Sequence, residues 1–279
     1  MNPPTVLVTG ASSGIGRATA LALAVPGARF VLVGRDRSRL ESAAAVLRER
    51  GAVAHVLPSD LALPAAAPSV AAETIRVAGV PDVVVLAAGI NDFAFFEDTG
   101  NEVAERLFRV NVLAPMALTK ALLPHLRRRG SGRFVFVGSV FGSIAFPCFA
   151  AYSASKFALR GFTEALRREL AGSGVGVTYV APRGTRTPMT DGFTEAATAA
   201  GMHLDEVDAV ARRIADAATR GVPRRTLGLP EAIFTRVNAL FPSLVDRALR
   251  GARDRLAPFA RRASVGASPT PLFPAGALR

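Results

Sequence analysis

The stretch TVLVTGASSGIG, residues 5–16, decides the fold prediction. An apolar run that favours a strand is followed by Gly10, Gly14 and Gly16, and a helical pattern then begins near Ile15. Glycines permit a tight turn and let the backbone approach a pyrophosphate, while the free N–H groups of the next helix point at the anion. We therefore predict a dinucleotide-binding turn, with a purely structural turn as the alternative. Its predicted cofactor contacts are Gly10, Ser12, Ser13, Gly14, Ile15 and Gly16.

The same strand-then-helix pattern recurs along the chain. The apolar runs lack clean alternation, which is typical of parallel strands that are covered on both faces. We predict strands near residues 5–9, 28–34, 53–57, 82–87, 132–138 and 175–181. Amphipathic patterns predict helices near 15–25, 37–50, 66–78, 102–128 and 152–171. The fold class is therefore α/β, a doubly wound parallel sheet of Rossmann type, in which ligands bind at the carboxyl ends of the strands.

We predict that the chain has three parts. Residues 1–229 should form one catalytic domain, 230–262 an amphipathic basic helical extension, and 263–279, rich in Pro, Ala, Gly and Ser, a disordered tail. Residues 182–202 are a candidate lid. A helix is predicted over 205–219 with Asp205 as its N-cap, and the run RRTLGL, which starts at Arg224, predicts a short seventh strand.

Composition limits the compartment and the partners. The lone Cys148 fits a reducing compartment, and the early first strand leaves no room for a signal peptide, so we predict a cytoplasmic protein. No uninterrupted apolar stretch approaches the ~18 residues of a membrane span. The net charge of +12 reflects either an arginine-rich coding bias or an anionic partner. Between Arg220 and Arg279, eleven arginines face three acidic residues, which keeps a surface role open.

The end of the second strand indicates which cofactor binds. An acidic residue there would bind the ribose 2′-hydroxyl of NAD, but this chain has Gly34 followed by Arg35. An arginine favours a 2′-phosphate, with Arg17 or Arg39 as helpers, so we predict NADP(H) over NAD. Asp36 is interpreted as a helix N-cap. The alternative for Arg35 is one more solvated arginine.

Further motifs follow in order. SDL supplies Asp60 and Leu61, LAAG ends at Gly89, RVNVLAP supplies Asn111, VGSVFGS supplies Ser139, and YSASK supplies Tyr152 and Lys156. With TGASSGIG they make the sequence, from about residue 5 to 189, resemble the classical short-chain dehydrogenase/reductase family. The resemblance implies Asn111, Ser139, Tyr152 and Lys156 as the catalytic set. It also implies cofactor contacts at Asp60, Leu61, Ala88, Gly89, Asn111, Tyr152, Lys156 and Thr187, and a homodimer or homotetramer. No metal site is predicted.

The chemistry of the pair supports these implied roles. Residues four apart share a helix face, and a free tyrosine has a pKa of about 10, too high for an efficient acid at neutral pH. We expect the Lys156 ammonium and an oxidised nicotinamide to lower the pKa of Tyr152. Ser139 would hydrogen-bond the substrate oxygen, and Asn111 would hold a water that links Lys156 to solvent. Asn111 could instead bridge backbone groups at a helix kink.

Two positions depart from the family pattern. Ala87 and Ala88 replace residues of which one is usually an asparagine, which should cost some rigidity. Arg183 replaces a glycine after the sixth strand; it could bind an anionic group, or it could be structural or point to solvent. Thr187 can still reach the nicotinamide carboxamide.

Phenylalanines cluster where the substrate should bind. Phe93, Phe141, Phe146, Phe149 and Phe193 predict an apolar pocket beside Ser139 for a lipophilic ketone or aldehyde, fatty-acyl or steroid-like, although they could simply anchor loops. The extension would either pack on the domain and roof this pocket or lie on an anionic membrane. Nucleic acid binding is disfavoured, because the extension lacks interleaved aromatic and basic residues.

Two functions from different classes remain. The first is a reversible NADPH-dependent carbonyl reductase that uses Tyr152 as general acid and base. The second is an NADP-binding sensor or scaffold with little turnover, whose working surface is the basic extension. The complete set of four catalytic residues favours the reductase. Epimerisation or dehydration on the same fold is a lesser alternative.

Overall fold

Seven parallel strands form one sheet in the order β3-β2-β1-β4-β5-β6-β7. The computed structural model describes residues 3–266, and for residues 192 and 261–266 it describes the backbone alone. The chain order reverses between β1 and β4, and this confirms the doubly wound prediction. The strands are β1 (Thr5–Thr9), β2 (Arg29–Gly34), β3 (Val53–Pro58), β4 (Val83–Leu86), β5 (Gly132–Val137), β6 (Val175–Ala181) and β7 (Arg224–Thr226).

Helices cover both faces of the sheet. Side chains on one face, such as Leu7, pack with α3, α5 and α6, while Val6 and Val8 pack on the other face with α1, α2 and α8. This burial on two sides explains why the strands read as continuous apolar runs. The first eight helices are α1 (Gly14–Ala22), α2 (Arg37–Glu49), α3 (Ala66–Ala78), α4 (Asn101–Phe108), α5 (Ala114–Arg129), α6 (Ala150–Glu169), α7 (Thr194–Ala199) and α8 (Val207–Arg220). Of these, α4 and α7 contribute no residue to the two core clusters on the faces of the sheet.

The helix predicted over 102–128 is divided. A π-helical turn, Arg109–Leu113, separates α4 from α5 and contains the buried Asn111. Such turns widen the helix by one residue and are frequent at functional sites. The combined helix Asn101–Arg129 is long and apolar enough to span a membrane by composition alone, with half of its most apolar window buried in the domain. Core helices meet the same criterion.

Two C-terminal helices, α9 (Leu229–Leu240) and α10 (Pro242–Gly266), follow β7. The backbone helix α10 thus continues four residues into the segment predicted as a tail, and residues 267–279 lie outside the described chain. Val245, Ala252 and Leu256 of α10 are buried against the domain. The extension therefore packs on the domain, as one of the two alternatives supposed.

The predicted N-cap of α8 was wrong. Glu206 occupies that position, and the helix begins at Val207. Asp205 instead accepts hydrogen bonds from Arg183 at 2.7 and 3.0 Å. Two charge-assisted bonds from one guanidinium replace the single bond from a backbone N–H that a cap would accept, so the tertiary partner determines where Asp205 points.

Candidate active site

The turn after β1 forms a cradle that only glycine permits. Gly10 has a φ of 70°, and a Cβ on it would lie 2.9 Å from the backbone of Ala88. A Cβ on Gly16 would lie 2.3 Å from the carbonyl oxygen of Gly10. Helix α1 begins at Gly14, and the Ser13 side chain makes no cap hydrogen bond. The helix N–H groups and two serine hydroxyls thus face a small cavity, which fits a pyrophosphate.

This cavity has a volume of about 190 Å³ and lies at the carboxyl ends of β1, β2 and β4. Twelve of the fifteen residues predicted to contact the cofactor line it. They are Gly10, Ser12, Ser13, Gly14, Ile15, Gly16, Arg35, Asp60, Leu61, Ala88, Gly89 and Thr187.

One end of this cavity is positively charged. Gly34 and the exposed Arg35 form its wall. Asp36 caps α2 by accepting from the Arg39 N–H at 3.0 Å, and hydrogen bonds from Ser38 and Arg39 lower the pKa of its carboxyl. Because the Arg39 side chain pairs with Asp36 at 3.4 Å, Arg39 is poorly placed to bind a 2′-phosphate together with Arg35. Neither Arg39 nor Arg17 is among the residues that line the cavity.

A second cavity of about 600 Å³ begins where the first ends. Ile15, Thr187 and Met189 line both cavities, so a ligand can extend from one into the other. Ser139 and Tyr152 lie on its wall. Ser139 follows β5, and Tyr152 lies on the first turn of α6, so two neighbouring elements bring the two hydroxyls together.

Burial dominates the electrostatics of this pair and its lysine. It raises the pKa of Tyr152 to about 12, although the nearby Ser139 side chain works in the opposite direction. Burial also lowers the pKa of Lys156 to about 8. The Lys156 Nζ lies 5.6 Å from the Tyr152 ring centroid and donates to the Val137 carbonyl at 3.3 Å. Burial therefore outweighs the lowering of the Tyr152 pKa that the protein's own groups provide.

Asn111 bridges two segments. Its Nδ2 donates to the Ile90 carbonyl and to the Ser155 hydroxyl, both at 3.0 Å, and its Oδ1 accepts from the Ile90 N–H at 2.9 Å. Both amide hydrogens are used, and one acceptor position remains on Oδ1. This is the bridging geometry that the sequence left open as the alternative to holding a water.

Four of the five predicted pocket phenylalanines, Phe141, Phe146, Phe149 and Phe193, line the larger cavity. Phe93 does not. Its ring lies 5.1 Å from that of Phe149 and 5.8 Å from that of Phe193, so it supports the wall from behind. The rings of Phe141 and Phe149 also contact Tyr152 edge-on, at 6.2 and 6.5 Å.

Comparisons with known proteins identify the family. The family model described as short chain dehydrogenase matches residues 4–198. The chain belongs to the short-chain dehydrogenase/reductase family. It is 34% identical over 263 residues to dehydrogenase/reductase SDR family member 7B of Danio rerio, which covers 88% of this chain and 84% of the relative. Its bovine counterpart is 38% identical over 183 residues, covering 63% of this chain and 56% of the relative.

A solved structure agrees with these relatives. A short-chain dehydrogenase from Sphingobium yanoikuyae in complex with NADPH superposes with a TM-score of 0.74 at 31% identity, covering 87% of this chain and 95% of that one. This chain is therefore an oxidoreductase of the short-chain dehydrogenase/reductase family.

In this short-chain dehydrogenase/reductase a threonine connects two central strands. The Thr9 hydroxyl accepts from the N–H groups of Ala87 and Ala88, both at 3.1 Å. It therefore joins the ends of β1 and β4, where the expected asparagine is missing.

The C-terminal helices roof the larger cavity, which is one of the two arrangements that the sequence left open for the extension. The roof residues that line the cavity are Pro230, Glu231, Phe234, Val245, Ala248, Leu249, Ala252 and Arg255. Sequence reasoning did not single out these lining residues as cavity contacts. It also missed Arg106, which lines the smaller cavity 3.9 Å from Asp60.

Arg183 holds the roof in place. Besides its pair with Asp205, it donates to both carboxylate oxygens of Glu231 at 3.2 and 3.3 Å. All three side chains are about four-fifths buried. Arg183 is thus structural and does not point to solvent, and its carboxylate partners raise the pKa of its guanidinium.

Proposed function

We propose that this protein reduces a lipophilic ketone or aldehyde to an alcohol, reversibly, with NADPH as the reductant. One observation carries the proposal. Ser139 and Tyr152 stand together on the wall of a largely apolar cavity that adjoins the glycine cradle. A carbonyl oxygen within reach of both hydroxyls would place the rest of an apolar substrate against Phe141, Phe149 and Phe193.

The cofactor proposal rests on the charged end of the smaller cavity. Gly34 leaves no carboxylate to accept from a ribose 2′-hydroxyl, and Arg35 supplies a cation at that point. The NADPH bound by the Sphingobium relative supports the same choice. Bound cofactor supplies the hydride for reduction, and in its oxidised form it brings a positive charge to the nicotinamide end.

The protein's own residues handle the proton. In reduction, hydride adds to the carbonyl carbon, the electron pair of the C=O bond moves to oxygen, and that oxygen takes the Tyr152 proton. A pKa of about 12 keeps Tyr152 protonated at neutral pH but also makes it a weak acid, so efficient proton transfer requires positive charge beside the ring during the reaction. Ser139 stabilises the charge that develops on the oxygen. Alcohol oxidation requires the phenolate, so it needs added positive charge nearby and should be favoured by high pH.

Supporting residues fix this geometry. We propose that Lys156 donates to the cofactor ribose from its buried position on α6, one turn after Tyr152. Asn111 is proposed to hold the segment at Ile90 against α6 through Ser155. Both would act mainly by position, since a misplacement of about 1 Å is costly to a preorganised site.

The assembly and the compartment are also proposals. Exposed Val103, Phe108, Leu113 and Phe157 lie on α4, the π turn and α6, where the family resemblance implies a dimer contact. The free, buried Cys148 supports a reducing, cytoplasmic compartment.

The test is a panel of carbonyl compounds at fixed NADPH, followed by loss of nicotinamide absorbance. We expect turnover of long-chain or polycyclic ketones and aldehydes over small hydrophilic ones. Tyr152→Phe should abolish turnover and leave NADPH binding largely intact. Tyr179→Phe, which alters the only other tyrosine, is the control: it removes a hydroxyl that donates to the Ser139 carbonyl at 3.4 Å but does not line the cavity, so it should retain most of the turnover. Full activity in Tyr152→Phe would refute the mechanism, and NADPH binding without turnover would favour the sensor.

A further inference from the structure

The C-terminal helices carry an exposed apolar surface that the reductase proposal does not use. Six of the fifteen exposed large apolar side chains in the described residues fall within residues 229–244. We name them the elbow patch: Leu229, Ile233, Phe234, Leu240, Phe241 and Leu244. Leu240 is 73% exposed and Phe241 58%, at the bend where α9 ends and α10 begins. Scattered apolar residues need no explanation, but a cluster of this density does.

The surroundings of the elbow patch are basic. Arg236, Arg247 and Arg250 are exposed on the same two helices, and none of them forms an ion pair with any residue that the structure describes. Asp246 is the one exposed acid between Arg236 and Arg250. Apolar side chains bordered by arginines are typical of helices that lie on an anionic bilayer. A second copy would instead bring the same arginines together, which opposes self-association through this patch.

The elbow patch is continuous with the entrance to the larger cavity. Phe234 is 47% exposed and also lines the cavity, as does Met189 of the lid segment, which is 45% exposed. The entrance therefore lies between the lid and α9. A lipophilic substrate leaving a bilayer under the elbow would meet Phe234 before it reaches water.

We propose that the elbow patch docks on an anionic lipid bilayer and that the larger cavity takes its substrate directly from that bilayer. Delivery of substrate from the bilayer rests on the proposed function, whereas docking itself does not. Leu240 and Phe241 insert among the acyl chains, and the three arginines contact lipid headgroups. Docking therefore weakens as salt increases, because exposed charges are screened.

The test is co-sedimentation of the full chain with vesicles of phosphatidylcholine alone, or of phosphatidylcholine mixed with phosphatidylglycerol. We expect binding to the mixed vesicles, and much less to the neutral ones. The double variant Leu240→Ser/Phe241→Ser should bind about a hundredfold more weakly, because each buried side chain contributes about a tenfold factor. The matched control Leu63→Ser/Phe96→Ser removes the same two residue types at 58% and 68% exposure, and should bind like the unaltered chain.

Docking would be overturned by no binding of the unaltered chain, by equal binding of the elbow variant, or by an equal loss in the control variant. A dimer that dissociates in the elbow variant would assign the patch to a second copy and also overturn it. Neither Leu240 nor Phe241 lines a cavity, so the elbow variant should keep its turnover of a short, water-soluble carbonyl. Loss of turnover only on a vesicle-borne long-chain ketone supports delivery from the bilayer. If the unaltered chain sediments but reduces no carbonyl, the proposed function fails and docking stands.

Discussion

Replacing Lys156 by methionine should stabilise the fold at neutral pH. The Lys156 side chain is 5% exposed, and burial lowers its pKa from 10.5 to about 8. Since one pKa unit corresponds to about 1.4 kcal/mol, holding the ammonium in the folded protein costs about 3 kcal/mol. Methionine has a similar length and no charge. It leaves the Val137 carbonyl, now 3.3 Å from Nζ, without that donor, which costs about 1 kcal/mol. The net expected gain is about 2 kcal/mol.

The gain must depend on pH in a defined direction. Below pH 8 both the folded and the unfolded lysine are protonated, so the full cost is present. Between pH 8 and 10.5 the folded protein loses this proton first, the unfolded chain binds more protons, and the stability of the unaltered protein rises with pH. The advantage of Lys156→Met should therefore fade across this window. Tyr152, whose pKa is raised to about 12, acts with the opposite sign above pH 10, but it is present in both proteins and cancels.

Urea unfolding of both proteins at pH 7 and pH 10 measures this difference. The chain's only other lysine, Lys120, is exposed on α5 and provides the control. Lys120→Met should change the free energy of unfolding by no more than about 0.5 kcal/mol at either pH. If Lys156→Met is less stable than the unaltered protein at pH 7, or if its gain is the same at pH 7 and pH 10, the lysine is not held in a desolvated site and the reasoning is wrong.

Two further substitutions test the roof and the cofactor end. Arg183→Met should raise the KM for a lipophilic carbonyl several-fold with little change in kcat, and should destabilise the fold by about 2 kcal/mol, because Glu231 and its roof helix lose their partner. Arg186→Met, which breaks an exposed ion pair, is the control. It should have little effect on the KM or on the free energy of unfolding in the same kinetic and urea measurements. Arg35→Glu should raise the KM for NADPH at least about tenfold and lower that for NADH; an unchanged ratio of the two would show that Arg35 does not contact the 2′-phosphate.

The strand and helix pattern was predictable because each strand is buried on both faces. Such strands leave unbroken apolar runs, and the helix predicted over 66–78 coincides with α3. The interruption at Arg109–Leu113 was foreseen only as a possible kink at Asn111; its π-helical form was not predictable, because RVNVL contains no residue that breaks a helix. It arises from tertiary contacts of Asn111, which are invisible in the local sequence.

The candidate site likewise has parts that could be predicted from the sequence and parts that could not. Motif residues near the strand ends were predictable, since carboxyl ends of parallel strands meet at one edge. The charge balance was not, and the sequence left open whether the extension roofs the pocket or lies on a membrane. A tyrosine and a lysine four residues apart suggested that each affects the pKa of the other, but the sequence does not show how deeply the two side chains are buried. Burial works against both charged forms, so it raises one pKa and lowers the other.

The sequence also could not show which arginines form a binding surface. A net charge of +12 indicates an anionic partner or a coding bias, and it cannot separate the two. Many arginines form hydrogen bonds or ion pairs that stabilise the fold. Arg129 donates to the backbone of Val80 and Pro81, and Arg183 joins two carboxylates. What distinguishes Arg236, Arg247 and Arg250 is the exposed apolar surface beside them. Coding bias supplies arginines anywhere on a surface, but it does not expose Leu240 and Phe241 next to them. The coincidence of the two features therefore favours a binding surface over bias at this place in the fold.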